Sequence, residues 1–435
     1  MRYKGSINLG AEIIISEIRN RDRWVVDDVY FGEKIDYRKY DLIAFNIFYV
    51  THQMNLIPFL RENNIPLKKI ERNGKPLLIA GGQGIINPKP LSDYIDYFVM
   101  GDGENAIQDI LYGIENKNTE FDNKSIWTEN KEIVFDHIPV VKSEPIIRNG
   151  HVVIELTRGC RYRCKFCQYS HISGKYREKD FALVKEQLSF CSRRGYNHIN
   201  FLSCNLCGYS HIIELLDLCI EKNISVANSD IRINDYFKVE NQLEVLKIRT
   251  LKTGIETYNE DVRYATGKQI SDDDIIAFIN HSKHHVGNIH IYLIYGLPYE
   301  TDYESWFSFL KKDKELIADI SNPIRIEHNI TNFEPSPYTP FENERYVNFE
   351  EKHVFLKRWL KELELNKYLP SAEGHWYHNM KGRLGRMPEQ YALTMWLMHG
   401  DKSVGRILEM SNIKGTSRSI KLPMIAKLVS KGAVI

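Results

Sequence analysis

Thr157-Arg158-Gly159-Cys160-Arg161-Tyr162-Arg163-Cys164-Lys165-Phe166-Cys167 sets three thiols at C-x-x-x-C-x-x-C spacing. The apolar run His151-Val152-Val153-Ile154-Glu155-Leu156 just before it reads as a strand, so the cysteines occupy the loop that leaves a strand. Three thiolates on one short loop can each bind one iron of a cubane [4Fe–4S] cluster. A full protein set is four, so one iron is left open for a substrate or cofactor, which points to catalysis rather than electron carriage. Zinc is the competing reading, but zinc ribbons bring two separated C-x-x-C pairs and structural zinc wants four closed ligands.

The chain has 435 residues, 43% of them hydrophobic, enough for two or three domains around a large core. Lysine plus arginine, 58, nearly cancels aspartate plus glutamate, 57, so there is neither a global basic field for nucleic acid nor an acidic solvating tail. The opening MRYKGSINLGAEIIISEIRNRDR is charged and amphipathic, without the apolar core of a secretory signal, and no stretch reaches the length of a membrane span. All seven cysteines lie between Cys160 and Cys219, unlike a disulfide framework, and an oxygen-sensitive cluster needs a reducing compartment. A cytoplasmic chain with no membrane partner is expected.

Residues 1–145 alternate apolar runs with helical stretches, the pattern of an open α/β sheet. Asp41–Asn46, Pro76–Ala80 and Tyr97–Met100 read as strands and Gln53–Arg61 as a helix. Gly81, Gly82 and Gly101-Asp102-Gly103 stand at strand exits. Either they let the backbone approach a bulky ligand in the crevice outside the carboxyl ends, or they only make tight turns. Residues 146–345 repeat a strand-then-helix unit six times, with strands at Val152–Leu156, His198–Leu202, Ser225–Asn228, Leu251–Ile255, His290–Ile294 and Ile324–Ile330. The cysteine loop follows the first of these, where barrels of parallel strands keep their catalytic groups.

From 346 to 435 the pattern turns helical, beginning with Glu350–Leu365. Asp401–Leu408 and Ile420–Ile435, with Lys414, Arg418 and Lys421 between or within them, suit either a nucleic-acid-reading helix-turn-helix or a small cap on the barrel. The cap is preferred, because a few lysines on a helix usually form a solvated face. His375, Tyr377 and His378 would reach a substrate if this region folds over the barrel. Cys204 and Cys207 form C-x-x-C after the second strand, as a second metal centre, a redox pair, a nucleophile or plain structure. Cys191 and Cys219 read as core.

The cysteine spacing, with aromatic Phe166 before the third cysteine, resembles the signature of the radical S-adenosylmethionine (SAM) superfamily. The resemblance implies that Cys160, Cys164 and Cys167 hold a [4Fe–4S] cluster and that its open iron chelates the amino and carboxylate groups of SAM. It also implies a reducing partner such as flavodoxin or ferredoxin. LLIAGGQGIINPKPLSDYIDYFVMGDGENAI is similar to the cobalamin (B12)-binding-type Rossmann domain that precedes the barrel in one subgroup, over residues 9–112. That family pattern carries D-x-H-x-x-G with a cobalt-ligating histidine, whereas Gly5-Ser6-Ile7-Asn8-Leu9-Gly10 has none. Cobalamin would therefore bind without this ligand, or the domain is a scaffold. His52 reads as a surface or packing residue.

GIETYNEDVRYATGKQISDDDI, Tyr295-Gly296-Leu297-Pro298-Tyr299-Glu300 and the proline-rich Asn332–Phe341 resemble further segments of the family. By that resemblance Phe166 and the Gly296 turn meet the adenine, Glu256 accepts hydrogen bonds from the SAM ribose or ammonium, Arg232 pairs with its carboxylate, and Gly81 and Gly82 border the first domain's cofactor crevice. Read as a residue alone, Glu256 has a strand-end salt bridge as its competing, less favoured reading.

The expected fold is α/β: an N-terminal Rossmann-like open sheet (1–145), a central partial (β/α)6 barrel (146–345) and a helical C-terminal cap (346–435). The expected function is reductive cleavage of SAM for transfer of a methyl or other group to an unactivated carbon. Two rivals are a cobalamin-independent rearrangement, oxidation or sulfur insertion, and a cluster-bearing sensor whose C-terminal region reads nucleic acid.

Overall fold

A computed structural model describes residues 8–118, 120–129, 131–227, 230–317, 324–362 and 388–410. They fall into two units, one formed by the described residues up to Pro139 together with those from Pro388 onward, the other by those from Val140 to 362. His375, Tyr377, His378, Lys414, Arg418 and Lys421 lie outside the described residues.

In the first unit Leu42–Asn46 (β1), Leu77–Gly81 (β2) and Tyr97–Val99 (β3) pair in parallel in that order, and Ile126–Trp127 (β4) joins β3 antiparallel. Because successive side chains alternate between faces, each strand feeds two cores. Ile79, Tyr97 and Val99 pack with Ile18 of Leu9–Arg19 (α1) and with Ile107, Ile110 and Leu111 of Glu104–Glu115 (α3). Ile43, Phe45, Leu78, Ala80 and Phe98 pack on the opposite face with Ile57, Phe59 and Leu60 of Leu56–Glu62 (α2).

That second core also takes Leu393 and Leu397 of helix Pro388–His399 and Val404 and Leu408 of helix Lys402–Met410. Contact is so close at Gly405 that a Cβ there would stand 1.9 Å from the Pro90 carbonyl oxygen. Asn87 donates to the Gly400 carbonyl at 2.7 Å and Lys402 pairs with Asp93 at 3.0 Å. The stretch read from sequence as one helical domain over 346–435 is thus divided by the structure. Phe349–Glu362 stays with the barrel strands, while Pro388–Met410 completes the core of the first unit.

In the second unit Ile146–Arg148 (β5) lies antiparallel to His151–Glu155 (β6), and a short hairpin of Thr157–Arg158 (β7) and Arg177–Glu178 (β8) follows. His198–Leu202 (β9) pairs in parallel with β6, and Ser225–Val226 (β10) with β9. Thr250–Glu256 (β11), Asn288–Tyr295 (β12) and Arg325–Asn332 (β13) form a second parallel sheet. A parallel bridge between Asp230 and Lys252, with Ile231 N–H donating to the Lys252 carbonyl at 2.9 Å, links the two sheets. The six parallel strands β6, β9, β10, β11, β12 and β13 therefore stand side by side in chain order, an open (β/α)6 arc. Strand β10 ends at Val226, before Ala227 of the run read from sequence, whose Asn228 lies outside the described residues, and β13 reaches Asn332 rather than Ile330.

Alternation along β11 and β12 shows which face is core. Leu251, Thr253 and Ile255, and Ile289, Ile291 and Leu293, are buried, while Lys252, Gly254, Glu256, His290 and Tyr292 on the other face remain partly accessible. Helices Glu304–Ile317 and Phe349–Glu362 cover the buried face through Trp306, Phe355 and Trp359, whose ring centroids lie 5.5 to 5.8 Å apart.

If Pro388–His399 is integral to the first unit, Leu397→Ala opens a cavity in its core and lowers unfolding stability by about 2–5 kcal/mol. Val354→Ala, at a side chain 69% exposed, changes it by less than about 0.5 kcal/mol. Urea unfolding followed by circular dichroism checks this, and an unchanged midpoint for Leu397→Ala contradicts the packing.

Candidate active site

The chain turns sharply out of β7 into the cysteine loop, and the local residues show why. Glu155 and Arg158, both buried, pair through two hydrogen bonds of 2.8 and 3.0 Å across the step from β6 to β7. Gly159 follows at φ +76°, where a Cβ would also sit 2.7 Å from the Lys175 carbonyl oxygen, so this turn tolerates only glycine. Cys160, Cys164 and Cys167 come next, all as free thiols, and Gln168–Ile172 (α4) closes the loop.

The loop is tied to the carboxyl ends of other strands. Tyr162 donates its hydroxyl to Asp235 Oδ2 at 2.9 Å, and Asn205, after β9, donates to the same oxygen at 2.7 Å. Arg232, after β10, lies over the Tyr162 ring at 3.8 Å and donates its backbone N–H to Asn205 Oδ1. Lys165 N–H donates to the Thr266 carbonyl at 2.9 Å, beyond β11, and Gln168 reaches the Pro337 carbonyl at 3.3 Å, beyond β13. Burial would raise the Asp235 carboxyl, but hydrogen bonds from Lys238, Asn205 and Tyr162 outweigh it and hold the group below its usual range. The anchor is therefore an ionised carboxylate.

Electrostatically the thiols form one group. The neighbouring Cys204 thiol, the Tyr162 backbone N–H and the charges of Arg232 and Lys268 hold the Cys160 thiol below its usual range. Burial pushes Cys167 up, and the neighbouring Cys164 and Cys160 push it in the same direction. The Cys164 and Cys160 sulfurs are thus felt at Cys167, as neighbours that share one cluster would be. No set of three or more His, Cys, Asp or Glu side chains among the described residues closes around a single ion. The donor set, three soft sulfurs on one tethered loop with two cations beside them, suits an iron–sulfur cluster.

Glu256 stands at φ +71° at the end of β11, where the register with β12 shifts. Its Oε1 accepts from Lys268 Nζ at 2.8 Å and would lie 2.4 Å from a Cβ on Gly254, so Gly254 makes room for this carboxylate. Gly296, at φ +84°, donates its N–H to the Tyr303 hydroxyl at 3.1 Å and opens the turn after β12. In that turn burial raises Glu300 to about 7; its Oε2 accepts from Thr257 at 2.6 Å and its buried Oε1 has no hydrogen-bond partner among the described residues. Phe166 is half-buried within the loop. Lys268, Tyr162, Asn205 and Asp235 were not singled out by sequence. Only Tyr162, inside the cysteine motif, carried a local signal.

Gly81 and Gly82 are elsewhere, in the first unit. At Gly82, φ +106°, a Cβ would meet the Ile47 carbonyl oxygen at 2.6 Å, and at Gly84 it would meet Tyr49 at 2.5 Å. These glycines admit the chain's own backbone after β1. His52 is neutral, its pKa lowered to about 4 by burial, with its ring edge-on to Tyr49. Cys191 and Cys219 are fully buried.

A family model described as the radical SAM superfamily matches residues 154–308, from within β6 into helix Glu304–Ile317. A second, described as the N-terminal region of radical SAM proteins, matches residues 25–139 and ends where the first unit's N-terminal portion ends. The chain belongs to the radical SAM superfamily. Members of this family use a [4Fe–4S] cluster and SAM and need a reductant, and this radical SAM protein is an enzyme of that kind. An uncharacterized protein of Methanocaldococcus jannaschii is 24% identical over 83% of this chain and 82% of its own length. A putative methylthiotransferase of the same organism is 25% identical over 57% of this chain, which spans only 61% of that relative. The solved structure of the cobalamin-dependent S-adenosylmethionine radical enzyme OxsB, with aqua-cobalamin and S-adenosylmethionine bound, shares the fold. It has a TM-score of 0.56 at 12% identity, covering 99% of this chain and 76% of that one.

The Glu300 environment makes a pH prediction. Below about 4.5 the carboxyl is protonated folded and unfolded alike. Between there and about 7 only the folded chain keeps the proton, so rising pH costs stability, by at most about 3 kcal/mol. Glu300→Gln removes this slope. Denaturation midpoints measured from pH 4.5 to 7.5 check it, and equal slopes in both proteins contradict it.

Proposed function

We propose that this enzyme cleaves SAM reductively on a [4Fe–4S] cluster held by Cys160, Cys164 and Cys167, and uses the cleavage to transfer a methyl or other group to an unactivated carbon. The observation that carries the reading is the tethered loop of three free thiols facing Arg232 and Lys268. A cluster bound there supplies the electron for cleavage and, at its open iron, a seat for the SAM amino and carboxylate groups.

The remaining work falls to this chain's side chains. Arg232, stacked on Tyr162, offers a fixed guanidinium to the SAM carboxylate, where planar two-point pairing is strongest. Glu256 offers a carboxylate to the ammonium or ribose, with Lys268 holding it in place. Phe166 gives the adenine an aromatic edge and the Gly296 turn gives it backbone. Asp235 keeps the loop from spreading when cluster charge builds, because it binds two strand exits at once. Group transfer draws support from the putative methylthiotransferase relative and the OxsB-like fold. A flavodoxin- or ferredoxin-class donor in the cytoplasm suits the reductant requirement. No helix among the described residues is long and apolar enough to cross a membrane.

A first unit of the cobalamin-binding type, with the OxsB-like fold, is consistent with cobalamin as a cofactor, which would bind here without the family's histidine ligand. Gly82 and Gly84 make room for the backbone after β1, and Gly5–Gly10 contains no histidine to meet cobalt. No step is routed through it, and the missing histidine favours, as a second reading, direct hydrogen abstraction from the substrate without cobalamin.

Anaerobic reconstitution is expected to give about four irons per chain and, with dithionite and SAM, 5′-deoxyadenosine or S-adenosylhomocysteine. The Cys160→Ala, Cys164→Ala, Cys167→Ala triple variant loses both. Full iron uptake by that variant refutes the assignment. Absorption spectra with added hydroxocobalamin separate the two reactions, since stoichiometric binding removes the second reading.

A further inference from the structure

Positive charge gathers on the stretch that carries the three thiols. Residues 158–178 hold six arginines and lysines against one acidic residue, Glu178, in a chain whose 58 basic and 57 acidic side chains otherwise nearly cancel. Two of the six are committed to carboxylates. Arg158 pairs with buried Glu155, and Arg161 pairs with Glu178 at 2.7 Å while lying over the Tyr176 ring at 4.5 Å. Arg177 is turned onto the Ser173 and Lys175 carbonyls at 2.8 and 3.1 Å. Arg163, Lys165 and Lys175 form no ion pair with a carboxylate among the described residues, and Arg163 and Lys175 are exposed. All three stand against the cysteine loop. Arg163 and Lys165 flank Cys164, which is buried, so the sulfur turns in where the guanidinium turns out. Arg163 meets His171 at 3.3 Å, and His171 in turn meets the Cys164 carbonyl at 3.2 Å, which fixes the charge beside the loop. Lys175 follows the loop in sequence, but the β7–β8 hairpin folds it back until its carbonyl oxygen is 2.7 Å from the Cβ position on Gly159.

We propose that this basic surface is where an acidic one-electron carrier protein docks, with Arg163, Lys165 and Lys175 meeting carboxylates on the carrier's rim. The proposal rests on the reading that the loop holds the cluster. One electron leaves the carrier's reduced group and enters the oxidised cluster, and no bond forms or breaks. Charges of opposite sign across such a face steer the encounter and set its register, and their effect fades as salt screens them. Placed on the loop that carries the sulfurs, they bring the carrier to the shortest path into the cluster. A nucleic acid is the other polyanion that basic side chains attract. Its charge is spread along a strand, however, and calls for a basic stripe, whereas here the excess is confined to one loop and hairpin of a chain with net charge +1.

The test uses the full chain, reconstituted anaerobically, with the double variant Arg163→Glu, Lys175→Glu. A control double variant, Lys311→Glu, Lys312→Glu, makes the same change in net charge at exposed positions of helix Glu304–Ile317. Affinity for oxidised flavodoxin and for oxidised ferredoxin is measured by calorimetry, and cluster reduction by each reduced carrier is followed by stopped-flow absorbance, both at low and high salt. The loop variant is expected to keep wild-type iron content and dithionite-driven 5′-deoxyadenosine yield, yet to lose about tenfold in carrier affinity and reduction rate at low salt, with a flatter salt dependence. The control is expected to match wild type. Unchanged affinity for both carriers in the loop variant overturns the proposal, and so does an equal loss in the control, which would trace the effect to net charge. Salt-sensitive binding of transfer RNA that the loop variant loses, with carrier-driven reduction intact, overturns it in favour of nucleic acid. Failure of the underlying reading looks different: the wild-type chain would take up no cluster, or dithionite would not reduce it.

Discussion

One buried carboxylate organises the site. Asp235 accepts from Tyr162 in the cysteine loop and from Asn205 after β9, and itself stands in the short helix after β10. Three segments far apart in sequence therefore meet at a single pair of oxygens. Its ionised state is what makes this strong, because charge-assisted hydrogen bonds are about twice as strong as neutral ones. The same junction presents Arg232 to Tyr162, so the positive charge near the sulfurs is a consequence of the tether.

The barrel supplies the geometry this junction needs. Six parallel strands in chain order place six connecting segments at one end, and four of the five exits beyond the cysteine loop touch it or the groups beside it. Glu256 at φ +71° and Gly296 at φ +84° show the backbone bending sharply at those exits. For a glutamate such a conformation is costly, and its carboxylate is held there by Lys268 and given space by Gly254.

Much of this was legible in the sequence because it is local. The cysteine spacing lies within eight residues, strand periodicity within five to eight, and the Gly159 turn sits beside the motif it serves. What escaped the sequence was separated along the chain. Nothing near Lys268 announces that it faces Glu256, and Asp235 reads as an ordinary helix residue. The Cys204–Cys207 spacing suggested partnership, yet three residues in a tight turn send the two side chains to opposite surroundings.

The chain's own pattern determined that three sulfurs share a loop after a strand, that a run of strand-helix units follows, and that the family is radical SAM. Such features depend on neighbours a few bonds away. Tertiary structure alone decided which glycines make room for backbone, which cations face the sulfurs, and that helices from 388–410 finish the core of the first unit. Those outcomes depend on packing and charge between segments tens to hundreds of residues apart, and apolar helices of similar composition carry no mark of which surface will bury them.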